Sequence, residues 1–199
     1  MIDIVLRNPD LLLAASHFSA RPRSEYSYLV GVRIEVRALP EDNDTPYDDE
    51  VFIVATDGVM LFVGRVLAEV FGGPAEFTLP LEAVRSLKAR CFTEVKYDPD
   101  ANQVRIQSGE SNSFKVLSDW YPRWRTVIPE SYKPEPAMYD PALLIRVDRA
   151  RRALGVKSPV AITPCGTNSG HIDFHRQDCF GQIMPIIYPF SDGPPLWVR

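Results

Sequence analysis

The feature that most constrains this sequence is a proline directly before an apolar, helix-like run, which occurs three times. The three sites are Asn8-Pro9-Asp10, Leu79-Pro80-Leu81 and Asp140-Pro141-Ala142. Proline suits the first position of a helix because the amide hydrogen that it lacks would have no intrahelical acceptor there. Asn8 and Asp140 are also favourable N-cap residues. The recurrence predicts three copies of one structural unit.

Each predicted helix has a strand-like run before it and segments with a period of two after it. The clearest alternation runs from Val30 to Val36, where apolar residues alternate with glycine and charged residues. Turn residues such as Asp57-Gly58 separate the segments. The predicted fold is α+β, with repeated β-α-β-β-β units. Strands are expected at Ile2–Leu6, Val51–Thr56, Met60–Val66, Ala75–Leu79, Thr93–Tyr97, Gln103–Gln107, Ser113–Ser118, Ala137–Tyr139, Val160–Thr163, His171–Phe174 and Cys179–Ile187.

Two stretches interrupt the repeats. Glu41–Glu50 is acidic and predicts a solvated hairpin loop in the first unit, and the proline-rich stretch Pro129–Pro141 predicts a linker between the second and third units. A boundary near residue 133 follows. The predicted domains are residues 1–132, with two units, and residues 133–199, with the linker, one unit and a C-terminal tail.

Composition excludes several classes of protein. Hydrophobic residues make up 45% and charged residues 24% of the chain, which is ordinary for a soluble globular protein. The apolar runs are too short to span a bilayer and no signal-type stretch opens the chain, so no membrane partner is expected and the cytoplasm is the expected compartment. Three cysteines without a CxxC pair predict neither a disulfide framework nor a zinc ribbon.

No catalytic constellation is recognisable in the sequence. It contains no GxSxG, P-loop, GxGxxG or HExxH pattern, and its aspartates cluster in loops. His171 and His175 lie on one face of a predicted strand near Cys179. These three residues could form part of a metal site, but a fourth ligand is missing. No catalytic residue, metal or cofactor is therefore expected, and the protein is predicted not to be an enzyme.

Four local motifs, at Val54–Leu61, Tyr121–Pro129, Gly181–Ile186 and Tyr28–Gly31, together resemble those of the bacterial replicative sliding clamp family, the beta subunit of DNA polymerase III. Val54–Leu61 is similar to the family's ATDG hairpin, Tyr121–Pro129 to its aromatic-Pro-x-aromatic-Arg-x-Val-x-Pro strand, and Gly181–Ile186 to its terminal VMPM strand. Tyr28–Gly31 matches a tyrosine-leucine-x-glycine strand of the middle domain. The resemblance implies the DNA clamp fold, with helices on one face of antiparallel sheets. It covers the middle domain and the second half of the last domain of a three-domain clamp.

In this family, a groove between the middle and last domains accepts a short peptide with apolar anchors from DNA polymerase and other partners. Val59-Met60 replaces the family's frequent His-Arg pair, and Thr126 replaces a basic residue, so the groove is predicted to be more apolar and less basic. The alternative is that the matching residues are simply core residues of adjoining sheets. The resemblance implies peptide binding by Leu29, Thr56, Gly58, Met60, Leu61, Pro122, Val127, Met184, Pro185 and Ile186.

The helices of clamp folds line the inside of a ring and face DNA, so the distribution of charge matters. The predicted helical regions 8–24, 81–90 and 141–157 carry net charges of +1, +2 and +4, although the whole chain carries −4. In the third region, Leu143, Val147, Ala150 and Leu154 form an apolar stripe. Exposed helix faces are commonly charged, but the pattern also suits nonspecific contact with double-stranded DNA. The residues expected to make it are Arg21, Arg23, Arg85, Lys88, Arg90, Arg146, Arg149 and Arg152.

These features predict a clamp-like processivity or partner-tethering factor that assembles as a dimer or tetramer. Residues 137–190 supply one unit where a clamp domain has two, so the exposed sheet edge predicts pairing of two copies about a twofold axis. The tail Ser191–Arg199 could instead cover that edge with Leu196 and Trp197. A regulator that captures clamp-binding peptides without encircling DNA is the alternative. An unrelated structural protein with convergent repeats is a third possibility.

Overall fold

The computed structural model describes residues 1–6, 9–22, 24–39, 49–87, 91–117, 120–129, 137–165 and 169–186, except for the side chain of Cys165. Its helices are α1 (Asp10–Ala15), α2 (Leu81–Arg85) and α3 (Pro141–Ala153), and short 3₁₀ turns lie at Ser27–Leu29 and Trp124–Val127. Its strands are β1 (Ile2–Leu6), β2 (Gly31–Ala38), β3 (Asp49–Thr56), β4 (Met60–Phe71), β5 (Ala75–Pro80), β6 (Thr93–Asp98), β7 (Gln103–Ser108), β8 (Glu110–Lys115), β9 (Ala161–Cys165), β10 (Ser169–Asp173) and β11 (Cys179–Ile183).

The first two units interlock by exchanging their first strands. β5, which opens the second unit, pairs antiparallel with β2 of the first, and β1 pairs antiparallel with β6 of the second. The resulting strand order is β5-β2-β3-β4-β1-β6-β7-β8. Each unit is therefore completed by a strand of the other. The strands of neither unit can form their full sheet without a segment from the other unit.

β4 is the strand to which the third unit is attached. One edge of β4 pairs with β3, and the other edge pairs with β11 over Met60–Gly64 and with β1 over Glu69–Phe71. β11 in turn pairs with β10, and β10 with β9. The sheet of the first unit therefore continues directly into the third.

The helices enclose the main core against these sheets. In α3, Val147 and Ala150 are buried in that core, as the apolar stripe predicted, and α1 packs against α3. Phe18, Phe62 and Phe174 meet where the first and third units join, with ring centroids 5.5, 6.3 and 5.9 Å apart. Each such buried ring is worth about 1.5–3 kcal/mol of apolar burial. The predicted α+β fold of repeated β-α-β-β-β units is confirmed.

The first two helices are shorter than the predicted helical regions. α1 ends before Ser16, whose hydroxyl donates to the Leu13 carbonyl at 2.7 Å, and the Ser19 hydroxyl donates to the Ser16 carbonyl at 2.9 Å. Such side-chain bonds compete with the helical hydrogen-bond ladder. Pro9 and Pro80 lie one residue before α1 and α2 instead of at their first positions.

The third helix has the predicted start. Pro141 is its first residue, and the carboxylate of Asp140 accepts the backbone N–H of Ala142 at 2.8 Å. This N-cap satisfies a donor that has no partner inside the helix. Asn8, the other predicted cap, lies outside the described residues.

Two strands of the first and second units differ from their predicted bounds. β4 continues to Phe71 instead of ending at Val66, because its far end pairs with β1. β8 begins at Glu110 and not at Ser113, because Gly109, at φ +87°, makes a turn so tight that the strand resumes at once. Glycine tolerates this left-handed conformation, which a side chain would strain.

The third unit contains less strand than predicted. β11 ends at Ile183, before Pro185, which has no amide hydrogen to donate to a ladder. The expected strand Ala137–Tyr139 is reduced to one bridge between Met138 and Ile186. The domain boundary near residue 133, the tail from residue 187 onwards and most of the acidic loop lie outside the described residues. The two-domain division therefore stays a prediction.

Candidate functional site

A capped hairpin between β3 and β4 forms the centre of the candidate site. Asp57 and Gly58 make the turn, and Gly58 has φ +90°. One carboxylate oxygen of Asp57 accepts the backbone N–H groups of Val59 at 2.9 Å and Met60 at 2.8 Å. The Thr56 hydroxyl donates to the Met60 carbonyl at 2.6 Å and accepts the Gly58 N–H at 3.1 Å. The tip of the hairpin is therefore held in shape by its own side chains.

Arg146 of α3 fixes this hairpin to the helical layer. Its guanidinium donates to the second carboxylate oxygen of Asp57, to the His17 carbonyl at 2.7 Å and to the Ser19 carbonyl at 3.0 Å. The side chains of Arg146 and Asp57 are 18% and 13% exposed, so the ion pair is largely shielded from water. One side chain of the third unit thus joins the hairpin and the segment after α1.

The arginines of α3 near this hairpin also affect the pKa of the His17 imidazole. Burial, together with the positive charges of Arg149 and Arg146, holds the pKa of His17 below its ordinary value. The ring is therefore neutral at pH 7, and the cluster gains no further positive charge there.

A groove of about 500 Å³ lies beside the hairpin, between the first and third units. The hairpin forms one wall and the end of β11 forms another. The backbone N–H of Met184 donates to the Val59 carbonyl at 2.8 Å, which continues the pairing of β4 and β11 up to the groove. Pro122 and Val127, from the segment around the second 3₁₀ turn, form a further side.

Most of the predicted peptide-binding residues are brought together here. Pro185 and Ile186 do not line the groove, although they follow Met184 directly in the chain. That this set binds a peptide stays a prediction. The predicted residues that line the groove are Leu29, Thr56, Gly58, Met60, Leu61, Pro122, Val127 and Met184.

Four lining residues were missed by the sequence reasoning, namely Val59, Ser169, Gln182 and Ile183. Gln182 lies directly opposite Leu61 in the pairing of β11 with β4. It is also two residues before Met184, on the same side of the strand. Strand alternation could have identified Gln182, but only with the register between the first and third units in hand.

The groove has a buried floor and an exposed rim. Met60 and Leu61 are 1% and 4% exposed, whereas Val59, Val127 and Met184 are 42%, 58% and 47% exposed. The floor residues are therefore core residues, as the alternative interpretation held. The rim residues are exposed apolar side chains grouped around a concave site, which is typical of a site that accepts an apolar ligand.

Two buried polar side chains interrupt the apolar surface of the groove. Ser169 and Gln182 are 6% and 4% exposed. The Ser169 hydroxyl has no hydrogen-bond partner in the part of the chain that the structure describes. The site therefore offers polar as well as apolar groups.

The predicted DNA-binding residues fall into three groups. Arg146 directs its donors to Asp57 and to backbone carbonyls, and Arg152 pairs with Asp148 at 2.7 Å while remaining 73% exposed. DNA contact stays a prediction for the whole set. The exposed members are Arg21, Arg85, Arg149 and Arg152. The members outside the described residues are Arg23, Lys88 and Arg90.

His171, His175 and Cys179 do not come together. The His171 ring stacks on Phe180 at a centroid distance of 5.7 Å, whereas Cys179 belongs to the main core on the other face of β11. His175 lies beyond β10, with Nε2 2.9 Å from the Pro159 carbonyl oxygen. Burial raises the pKa of the Cys179 thiol to about 12. Among the described residues, no three His, Cys, Asp or Glu side chains are grouped to hold a metal ion.

Solved structures share this architecture. The DNA polymerase III subunit beta from Pseudomonas aeruginosa matches with a TM-score of 0.67 and 13% identity, over 94% of this chain and 66% of that chain. The chain has the fold of a bacterial sliding clamp. The Helicobacter pylori beta clamp bound to a DNA ligase peptide matches with a TM-score of 0.68 and 12% identity, over 93% of this chain and 65% of that chain. The Bacillus subtilis DNA polymerase sliding clamp matches with a TM-score of 0.67 and 12% identity, over 94% of this chain and 64% of that chain.

The chain therefore spans a little under two thirds of the length of these clamps, 66% for the Pseudomonas aeruginosa protein. No family model matches the sequence, and no curated protein matches it. Within the described residues, no helix has both the length and the apolar character needed to cross a membrane.

The burial of Met60 accounts for one departure from the clamp motifs. Met60 follows Val59 at the positions where the resemblance implies a frequent His-Arg pair, and its side chain is 1% exposed. An arginine that is buried to this extent would need an ionic or hydrogen-bonding partner. Methionine fills the floor without one, and its flexible side chain adapts to differently shaped neighbours.

Replacing Arg146 with methionine should lower the free energy of unfolding by about 3 kcal/mol, because it breaks a largely buried ion pair and leaves the Asp57 carboxylate without its cation. Urea unfolding followed by circular dichroism measures the change. Arg149→Met is the matched control, since Arg149 is exposed on the same helix, and its effect should stay within about 0.5 kcal/mol. Equal losses in the two variants would contradict a structural role for Arg146.

Proposed function

We propose that this chain is a clamp-like tethering factor that holds a short apolar peptide of a partner protein in the groove and contacts duplex DNA nonspecifically through its helices. The observation that carries the proposal is the groove itself. Its lining comes from five separate parts of the sequence, at residues 29, 56–61, 122–127, 169 and 182–184. A DNA polymerase or another replication protein with a clamp-binding motif is the proposed peptide donor, and the DNA ligase peptide on the Helicobacter pylori clamp supports this class.

The exposed rim is suited to binding by apolar anchors. Burying a leucine or phenylalanine side chain contributes about 1.5–3 kcal/mol. Met184 and Val127 are roughly half exposed in the free chain, at 47% and 58%, so a bound peptide has apolar surface of the protein to cover. Because the floor is already packed, the groove needs little rearrangement to accept the ligand, which limits the entropic cost of binding.

Met184→Ala should weaken binding of a fluorescein-labelled peptide with leucine and phenylalanine anchors by about tenfold, because an anchor contact worth about 1–3 kcal/mol is lost. Fluorescence anisotropy titration measures the dissociation constant. Leu61→Ala should also weaken binding, but Leu61 is 4% exposed and packs with Trp124, so its loss will also destabilise the fold.

Ile186→Ala is the matched control for the peptide experiment. Ile186 is 44% exposed and lies two residues after Met184, yet it does not line the groove. Its truncation should leave the dissociation constant unchanged. If Met184→Ala binds the peptide as tightly as the wild type, the groove is not the peptide site.

Contact with DNA is proposed for the exposed arginines of the helical layer. Arg149 and Arg152 project from α3, on the side away from Val147 and Ala150, which are buried in the core. Their proposed partners are backbone phosphates, which carry no sequence information and so allow a protein to slide. Arg146 contributes to this surface only indirectly, because its donors are directed at Asp57 and at backbone carbonyls.

Changing Arg149 and Arg152 together to glutamate should weaken binding of duplex DNA at low salt and flatten its salt dependence, because fewer counterions are released. Anisotropy of a labelled duplex over a salt series measures both effects. The matched control is Arg105→Glu with Lys115→Glu, which changes the net charge equally at exposed residues of β7 and β8. DNA affinity that responds alike to both double variants would exclude a specific role for α3.

Assembly from several copies is proposed from the unequal completion of the three units. In the second unit, β1 fills the outer edge of β6, and in the first unit, β5 fills the outer edge of β2. β9 holds the corresponding position in the third unit, and among the described strands it pairs with β10 alone. In the helix of the same unit, α3, Leu144 and Ile145 are 37% and 55% exposed. We expect the third unit of a second copy to cover this edge and helix face about a twofold axis.

Light scattering at micromolar concentration should therefore give the mass of a dimer or tetramer, and Ile145→Glu should shift it towards the monomer because it places a charge in an apolar contact. Phe71→Glu, the same kind of change at a residue that is 63% exposed at the end of β4, should leave the mass unchanged. A wild-type chain that is monomeric and still binds the peptide would favour the alternative function, a regulator that captures clamp-binding peptides without encircling DNA.

A further inference from the structure

A second pocket, of about 310 Å³, lies beside the groove and is rich in arginine. We call it the arginine pocket. Its lining residues are Arg33, Glu35, Arg37 and Glu76 from β2 and β5, together with the segment Tyr121–Thr126. Four arginines and two glutamates line it, so its formal charge is positive although the chain as a whole is acidic.

The inner part of the arginine pocket contains two ion pairs. Arg33 pairs with Glu76 at 2.5 Å, and its own side chain is 6% exposed. Glu35, at 8% exposed, accepts the indole N–H of Trp124 at 2.8 Å and the guanidinium of Arg125 at 2.8 Å. These contacts hold the side chains at the base of the pocket in place.

In the outer part of the pocket, the arginine side chains outnumber the carboxylates that pair with them. The Arg37 guanidinium is 3.5 Å from Glu35, a carboxylate that already serves Arg125 and Trp124, and the Arg37 side chain is 46% exposed. Arg123 is exposed, and no acidic side chain among the described residues pairs with it. Arg125 is held in place by stacking on Trp124, with 3.9 Å between its guanidinium carbon and the ring centroid. Arg37 and Arg123 are therefore the cations available to a ligand.

The arginine pocket and the groove are two parts of one continuous surface. Pro122 lines both of them, Arg123 to Thr126 line the arginine pocket, and Val127 lines the groove again. A peptide that lies extended in the groove and continues past Pro122 enters the arginine pocket. The charge that it meets there is positive.

We propose that the arginine pocket binds the carboxylate of an aspartate or glutamate that flanks the apolar anchors of the partner peptide. Guanidinium groups bind carboxylates through paired N–H donors, and Arg37 and Arg123 supply such donors beside the apolar rim. The pocket thus adds a charge requirement to a groove that otherwise selects for apolar side chains. This inference rests on the proposed function, because the groove must hold the peptide that carries the acid.

Three labelled peptides with the same leucine and phenylalanine anchors test the inference by fluorescence anisotropy with the full-length protein. One has neutral flanks, one has two glutamates before the anchors, and one has two glutamates after them. One acidic peptide should bind about fivefold more tightly than the neutral peptide at low salt, and high salt should remove the difference. Arg37→Gln with Arg123→Gln should abolish the preference without changing the affinity of the neutral peptide.

Arg105→Gln with Lys115→Gln is the matched control, since it removes two exposed positive charges that do not line either pocket, and it should retain the acidic preference. If the neutral peptide binds and neither acidic peptide binds more tightly, the inference is overturned and the proposed function stands. If no peptide binds, both fail. If the Arg37 and Arg123 variant loses duplex DNA binding while the peptide preference persists, the pocket is a phosphate site and the inference is overturned.

Discussion

The ion pair between Arg146 and Asp57 is the contact on which the arrangement of the site depends. One oxygen of the Asp57 carboxylate shapes the hairpin tip, and the other binds a guanidinium from the third unit. The same guanidinium donates to the carbonyls of His17 and Ser19. Because both carboxylate oxygens of Asp57 accept hydrogen bonds, the same residue sets the turn and the placement of α3.

The groove is a consequence of how the third unit is joined to the first. β11 adds to the edge of β4, and Phe18, Phe62 and Phe174 fill the space between the helices and that strand pair. Neither half of the groove has an independent position, because Met184 is carried by the end of β11 and hydrogen-bonds to Val59 in the hairpin. The site therefore inherits the rigidity of a continuous sheet.

The sequence predicted what depends on local signals. The repeated units and the start of α3 follow from proline punctuation and period-two alternation, and these agree with the structure. Most groove residues were found through the resemblance to clamp motifs, which already contains long-range information. Gln182 and Ser169 were missed because their positions depend on register between distant strands. Arg146 was assigned to the DNA-facing set for a similar reason, since nothing near it in the chain shows that Asp57 lies within reach.

The edge of β4 that pairs with β11 stays uncovered for much of the synthesis of the chain. Met60–Gly64 is synthesised long before Cys179–Ile183, the strand that covers it. At about 5–20 residues per second, the ribosome leaves this apolar edge unpaired for roughly ten seconds. An uncovered strand of this kind pairs readily with the edges of other nascent chains. β11, the last strand among the described residues, covers this edge, and a chain whose translation stops before Cys179 would leave it unpaired.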